Sequence, residues 1–264
     1  MSFDISHLLE NWSYQQGQLA VRKFTTKDGL EKIQMRLDLG ILQMNATGRP
    51  DGKKPMGSES WYDFHLDKLE QYKASKDGED EGFALLPNEI SRIQQEAIQY
   101  HHRYICFYQL NEYDKVVRDA ERNLRVFDFV DDYAETEELS WSLQQFRPQL
   151  IMMLTRAEGS LAIDAEEYDQ AKDVIREGIE ALKEFYVDFE RQDLMEGSGE
   201  ISSLQQWLSE VEANLENDSD SKPMPATTEL NEIEKLEAAL KEAIVREDYE
   251  RAAEVRDLIK KRRP

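Results

Sequence analysis

The nearest approach to a metal-ligating cluster in the 264-residue sequence is His101, His102 and Cys106. His102 and Cys106 stand four residues apart and would share one face of a helix, and nitrogen and sulfur ligands suit zinc. A zinc site takes three or four protein ligands, and no CxxC or HExxH is present to complete one. Tyr100, Tyr104, Phe107 and Tyr108 surround the three residues, which favours packing in a core or an interface over ligation. Asp131 and Asp132 with Glu135 could hold a cation, but the segment reads as a solvated helix end. Asp38, beside Arg36 on the polar side of an expected strand, suggests an exposed ion pair. There is no Walker lysine loop, no glycine-rich dinucleotide loop and no GxSxG elbow. No nucleophile, base and orienter stand together. No catalytic, cofactor-binding or metal-binding residue is therefore assigned, and no cofactor is expected. The basic run at 260–263 could meet phosphate, but placement at a helix C-terminus explains it more simply.

The elements that would carry these residues are mostly helical. At the N-terminus, residues 19–26 and 32–44 flank Lys27, Asp28 and Gly29, and Asp-Gly between strand-like runs signals a hairpin. In the second run Ile33, Met35, Leu37 and Leu39 alternate with Gln34, Arg36 and Asp38, which predicts one half-buried strand with a wet face. Gly40 would mark a bulge or a switch of face. Residues 47–57 form a loop dense in glycine and proline, and 61–72 a short helix whose Trp61, Phe64 and Leu66 would cover the sheet. Residues 73–82 read as an acidic linker.

Helical spacing then runs to residue 215. A first helix follows Pro87 with Asn88 as its N-cap and Ile90, Ile93, Ala97, Tyr100, Tyr104 and Phe107 on its apolar side. A second opens at Asp114. A third carries Leu143, Phe146, Leu150, Leu154, Ala157 and Leu161, and a fourth starts near Asp169 and is broken by Gly197, Ser198 and Gly199. A fifth carries Leu204, Trp207, Leu208, Val211 and Leu215. The stretches NEYD at 111–114 and EEYD at 166–169 each sit between two amphipathic runs. The second of these hairpins resembles a tetratricopeptide unit, with Gly159, Tyr168, Ala171 and Gly178 where that family places small and aromatic residues. The two turns are 55 residues apart rather than the 34 of a tandem array, so antiparallel helical pairs are expected and not a regular repeat.

Residues 217–228 are polar and contain Pro223 and Pro225, which predicts a linker. After it, Leu230, Ile233, Leu236, Leu240 and Ile244 form one apolar stripe, and Tyr249, Ala252, Ala253, Val255 and Ile259 a second. Two such short helices are marginal alone and bury one seam when paired. The expected fold is thus mainly α, a helical bundle or short helical-hairpin solenoid. It would have a small N-terminal antiparallel β element and a C-terminal antiparallel helical hairpin. Three regions are expected: 1–72, an acidic helical domain at 83–216, and 229–264 after the linker.

The spacing of Leu236, Leu240, Ala243, Tyr249, Glu250, Ala252, Ala253, Arg256, Asp257 and Ile259 resembles the UVR motif. That motif links the bacterial excision-repair proteins UvrB and UvrC and recurs in bacterial chaperone and kinase-adaptor proteins. Tyr249 stands where phenylalanine is typical, Leu240 where methionine is common, and 260–264 (KKRRP) where the family usually has an apolar residue. The resemblance implies that these ten residues bind a partner carrying a UVR-type or similar helical surface, or a second copy of the chain, with Arg256 and Asp257 as polar specifiers.

Charge sharpens this picture. Residues 1–72 and 229–264 each hold 10 acids and 9 bases, whereas 73–228 hold 35 acids against 15 bases. Such a body repels phosphate backbones, so direct nucleic-acid binding is not expected. No apolar run is long enough for a membrane span. Residues 1–10 lack a secretory pattern, and the single Cys106 cannot pair internally, so the expected compartment is the cytoplasm. The sequence therefore points to a non-enzymatic adaptor, and the resemblance implies a link to DNA repair or stress response. A metal-dependent enzyme or nuclease accessory, with its site in the N-terminal β region, is the alternative.

Overall fold

Asp28 and Gly29 reverse the chain as that pair predicts: Gly29 has φ +80° and joins β1 (Ala20–Thr25) to an antiparallel β2 (Glu31–Leu37). The computed structural model describes residues 4–15 and 18–219, the side chains of 216–219 excepted. The expected long strand over 32–44 does not occur. The chain turns at Asp38 and Leu39, and β3 (Gly40–Asn45) returns along β2 with Leu37 opposite Gly40. Alternation carries Ile33 and Met35 into the core, but Leu37 is 40% exposed and Leu39, at the turn, 93%. Pairing explains the fold-back, because a two-stranded hairpin is marginal and a third strand satisfies the outer edge of β2. The far face of the sheet carries a polar ladder. Arg22 donates to Gln34 at 2.7 Å and Gln34 to Gln43 at 2.7 Å. Arg22 also lies 4.0 Å from the Trp12 ring centre, just after α1 (Ser6–Glu10).

The helices follow as α2 (Trp61–Ala74), α3 (Pro87–Gln109), α4 (Tyr113–Tyr133), α5 (Glu137–Gln144), α6 (Arg147–Asp164), α7 (Tyr168–Asp188), α8 (Gln192–Met195) and α9 (Gly199–Ser219). The mainly α architecture with a small N-terminal antiparallel sheet is as expected. Ile33, Met35 and Met44 of the sheet, Leu69 of α2, and Ile93, Phe107, Val116, Val130 and Leu150 of the helices belong to one buried cluster. The acidic segment after α2 is held down. Tyr133 Oη donates to Asp80 at 2.8 Å and Tyr72 Oη to the Glu81 carbonyl at 2.8 Å, and Phe83 packs edge-on against both tyrosine rings.

Three helix boundaries differ from expectation. Asn88 is not the N-cap of α3: Pro87 opens the helix, and the Glu89 carboxylate accepts the Leu86 N–H at 2.8 Å. The single helix expected over 143–161 is broken at Gln145 and Phe146. Pro148 sits in the first turn of α6, where its missing N–H costs nothing. Phe146 is consequently left 48% exposed. The fourth helix stops at Asp188, before the glycines, because Glu190 adopts φ +52°.

The two turns that resemble each other in sequence share one backbone. Asn111 and Glu166 have φ +57° and +62°. After each, an N–H reaches back five residues, Glu112 to Phe107 at 3.0 Å and Glu167 to Ala162 at 2.8 Å. This is the Schellman closure, made with residues other than glycine. In the second hairpin Gly178 leaves room for Thr155: a Cβ there would meet Thr155 Oγ1 at 2.1 Å.

The chain divides into one compact unit of Met1–Glu212 and a second of Ala213–Pro264. α9 continues through Ser219, so the first three residues of the expected linker are helical. The rest of 217–228 and the hairpin at 229–264 lie outside the described residues. Among the described residues no helix is long and apolar enough to cross a membrane.

Candidate interaction site

The ten motif positions from Leu236 to Ile259, and the basic run at 260–263, lie outside the described residues. What the structure places is the body and the other candidates. Cys106 is fully buried on α3, and burial pushes its thiol up to about 12, so it is an inert core residue. His101 Nδ1 lies 2.6 Å from Tyr104 Oη, and its ring meets that of His102 edge-on at 5.7 Å. Burial pushes the His101 imidazole down to about 4, with the neighbouring His102 adding to the effect, and lowers His102 as well. Among the described residues no three His, Cys, Asp or Glu side chains gather to hold a metal ion.

The carboxylate candidates also resolve into ordinary contacts. Asp38 is not paired with the Arg36 side chain as an ion pair. It accepts Tyr14 Oη at 2.5 Å, while Arg36 donates to the Asp38 backbone carbonyl at 3.2 Å. Asp131 accepts the Ser140 hydroxyl. Asp132 is held above the usual carboxylate range by burial and by Asp131, Asp128 and Asp80 nearby. Asp131 also lines an open concavity of about 560 Å³ with Glu137, Glu138, Asp188 and Glu190 around Trp141 and Phe189. Arg191, 5.3 Å from the Trp141 ring centre, shares that concavity.

The most elaborate polar constellation was not legible in the sequence. Glu96 on α3 is fully buried and accepts Arg49 Nε at 2.8 Å, the Trp61 backbone N–H at 2.8 Å and Arg122. Seven residues on, Arg103 is 1% exposed and grips Asp119 of α4 through Nε at 2.6 Å and Nη2 at 2.9 Å. Its remaining nitrogen donates to the Asn45 and Gly48 carbonyls at 3.0 and 2.6 Å. These bonds tie the end of β3, the loop after it and the start of α2 to the α3–α4 hairpin. Each charge is compensated, which is the condition for burying it. Such mutual compensation is what a structural latch between these elements requires.

A second concavity is apolar. It is an open groove of about 310 Å³ beside α3, with Ala97, Phe127, Leu143 and Leu150 buried in its floor and walls. Ile98 and Phe146, 46% and 48% exposed, stand among its lining residues. Its polar side chains are those of His101, His102, Tyr104, Asn123 and two glutamines. Of the aromatic stripe expected around His101 and His102, only Tyr104 lines the groove, and the chain break that brings Phe146 to it was not expected.

Against known families, a model of the UvrB/uvrC motif (UVR) matches residues 231–261. No curated protein and no solved structure matches the chain.

Proposed function

We propose that the protein is a non-enzymatic adaptor that engages a partner through the UVR motif near its C-terminus. The observation that carries the reading is the motif match at 231–261. In the resemblance, association is helix against helix, and the positions that would make it are Leu236, Leu240, Ala243, Tyr249, Glu250, Ala252, Ala253, Arg256, Asp257 and Ile259. The partner would be a protein bearing a UVR-type or similar helical surface, or a second copy of this chain. The buried charges of the body support an adaptor: Glu96 is paired with Arg49 and Arg122, and Arg103 with Asp119. The candidate ligating residues are likewise engaged in packing and local hydrogen bonds. A cytoplasmic location and a tie to DNA repair or stress response belong to the same proposal.

The test is capture from the native cytosol by the full chain and by a chain lacking 229–264, with sedimentation of both to read self-association. The full chain should retain a discrete partner, or itself, and the truncated chain should not. Ala252→Leu enlarges a small residue of the motif and should reproduce the loss. Equal capture by all three proteins, with equal sedimentation, refutes the motif as the contact.

A further inference from the structure

Among the described residues, His65 on α2 is the histidine whose two ring nitrogens are both buried and both without a hydrogen-bond partner. It is 1% exposed, with the Phe64 ring edge-on at 5.1 Å and the Trp61 ring at 6.3 Å. A buried polar side chain left unpaired calls for a reason. Four charged groups face the ring: Lys68 on its own helix, and Glu89, Arg92 and Glu96 on α3. Only the two carboxylates could accept a proton-bearing ring, and both are already engaged. Glu89 Oε1 lies 3.9 Å from His65 Nδ1, beyond hydrogen-bond reach, and takes Lys68 Nζ at 2.7 Å. Its other oxygen accepts the Leu86 N–H at the start of α3, at 2.8 Å. Glu96 is held by Arg49 of the loop after β3, Arg122 of α4 and the Trp61 N–H. The uncharged ring suits this place, whereas an imidazolium would be buried among partners fixed elsewhere. Burial accordingly holds the His65 imidazole below its ordinary range, and Lys68 and Arg92 add to it against Glu89 and Glu96.

We propose that His65 makes α2 an acid-released flap: with the ring neutral, α2 lies on α3, and with the ring protonated, α2 lifts away while α3 stays folded. Two features place the opening at α2. Lys68 to Glu89 is its one ion pair to another helix among the described residues, the approach of His65 to the same carboxylate aside. The buried charges that hold α3 to α4 and to the loop after β3, Arg103 with Asp119 and Glu96 with Arg49 and Arg122, need no group of α2 to stay paired. Release would present Trp61, Tyr62, Leu66 and Leu69, which pack on the core, as a conditional apolar face. The direction in pH follows from the uncharged folded ring. In the lifted helix His65 returns to its ordinary range and binds more protons, so opening is favoured as pH falls below about 6.5. At pH 5 that ordinary value sets a ceiling of about 30-fold on the effect. The flap is independent of the UVR motif and stands or falls separately from it.

Hydrogen exchange of the full-length protein at pH 7 and pH 5, read by mass spectrometry and corrected for the intrinsic rate at each pH, tests it. Protection of the α2 amides should fall about tenfold between the two. His65→Phe keeps an aromatic ring without the titration and should hold that protection within about twofold; His65→Gln serves if Phe distorts the helix. His101→Gln should leave the α2 fall intact, because α2 opens without unfolding α3. The His65 imidazole, titrated by NMR in the wild-type protein, should have its midpoint below about 6.5, a readout that needs no variant. The proposal is overturned if α2 protection does not fall, or falls equally in the folded His65 variants. Loss of the fall in His101→Gln overturns it too, since α2 would then open only with the bundle. So does a His65 midpoint at or above about 6.5, which would mean that Glu89 takes the charged ring and tightens α2.

Discussion

Arg103 and Asp119 show what a buried charge demands. Each is 1% exposed, and the guanidinium uses its fork on one carboxylate and its remaining nitrogen on the carbonyls of Asn45, at the end of β3, and Gly48, in the loop after it. Asp119→Ala would leave that guanidinium buried and half-satisfied, a loss of about 3–5 kcal/mol. Urea denaturation checks it, and adding Arg103→Met should recover part of the loss, since the two residues act as one unit. The pair was invisible in the sequence because amphipathic reading sends charged residues to the wet side, and its partners stand 16 residues apart on different helices. His101 tests the same physics by pH. Its folded imidazole is lowered to about 4 by burial, below the ordinary 6.5, so the folded state favours the neutral form. That contribution is fully present above about 6.5 and is lost as pH falls toward 4, up to about 3 kcal/mol. His101→Gln should flatten the fall in urea stability between pH 6.5 and 4. An unchanged slope would place the acid sensitivity in other groups.

At the level of elements, local chemistry was legible where one residue type decides the geometry and illegible where alternation continues through a turn. Gly29 announced the first hairpin, while Ile33, Met35, Leu37 and Leu39 kept period two past the reversal at Asp38 and Leu39. Apolar spacing likewise ran through the break at Phe146, and only Pro148 hinted at it. The paired turns at Asn111 and Glu166 offer a sharper test, because both occupy a left-handed backbone that costs a side-chain-bearing residue about 1–2 kcal/mol. Glu166→Gly removes that cost but loosens the unfolded chain, for a net gain of about 0.5–1 kcal/mol in unfolding free energy, read as a higher urea midpoint. Gly178→Ala goes the other way. Its Cβ would fall 2.1 Å from Thr155 Oγ1, so α6 and α7 must part, at about 1–3 kcal/mol. Thr155→Ala in the same chain should return part of that loss, and failure to do so would mean the strain lies elsewhere in the hairpin.

Across the whole molecule, charge is segregated more sharply than apolar pattern. The motif at 231–261 was readable because its residue types recur at fixed intervals within one short stretch; the apolar groove was not, because it is assembled from residues 94–150 that no local pattern connects. The two differ also in electrostatic setting. Residues 229–264 hold 10 acids and 9 bases, whereas 73–228 carry an excess of 20 acids. A protein that binds duplex DNA through phosphates releases counterions in proportion to the cations it presents, and its affinity falls steeply with salt. Here the only dense cationic run is 260–263, four charges attached to a strongly acidic chain. Those four could give weak binding at low ionic strength, and the body would oppose it at every distance the Debye length allows. The expected outcome is no shift of a duplex at micromolar protein in about 150 mM salt. If a shift occurs at about 20 mM salt, it should vanish when Lys260, Lys261, Arg262 and Arg263 are replaced by serine. A micromolar complex that survives at about 150 mM, or that persists without those four residues, would mean that the chain reads nucleic acid directly and that its partner need not be a protein.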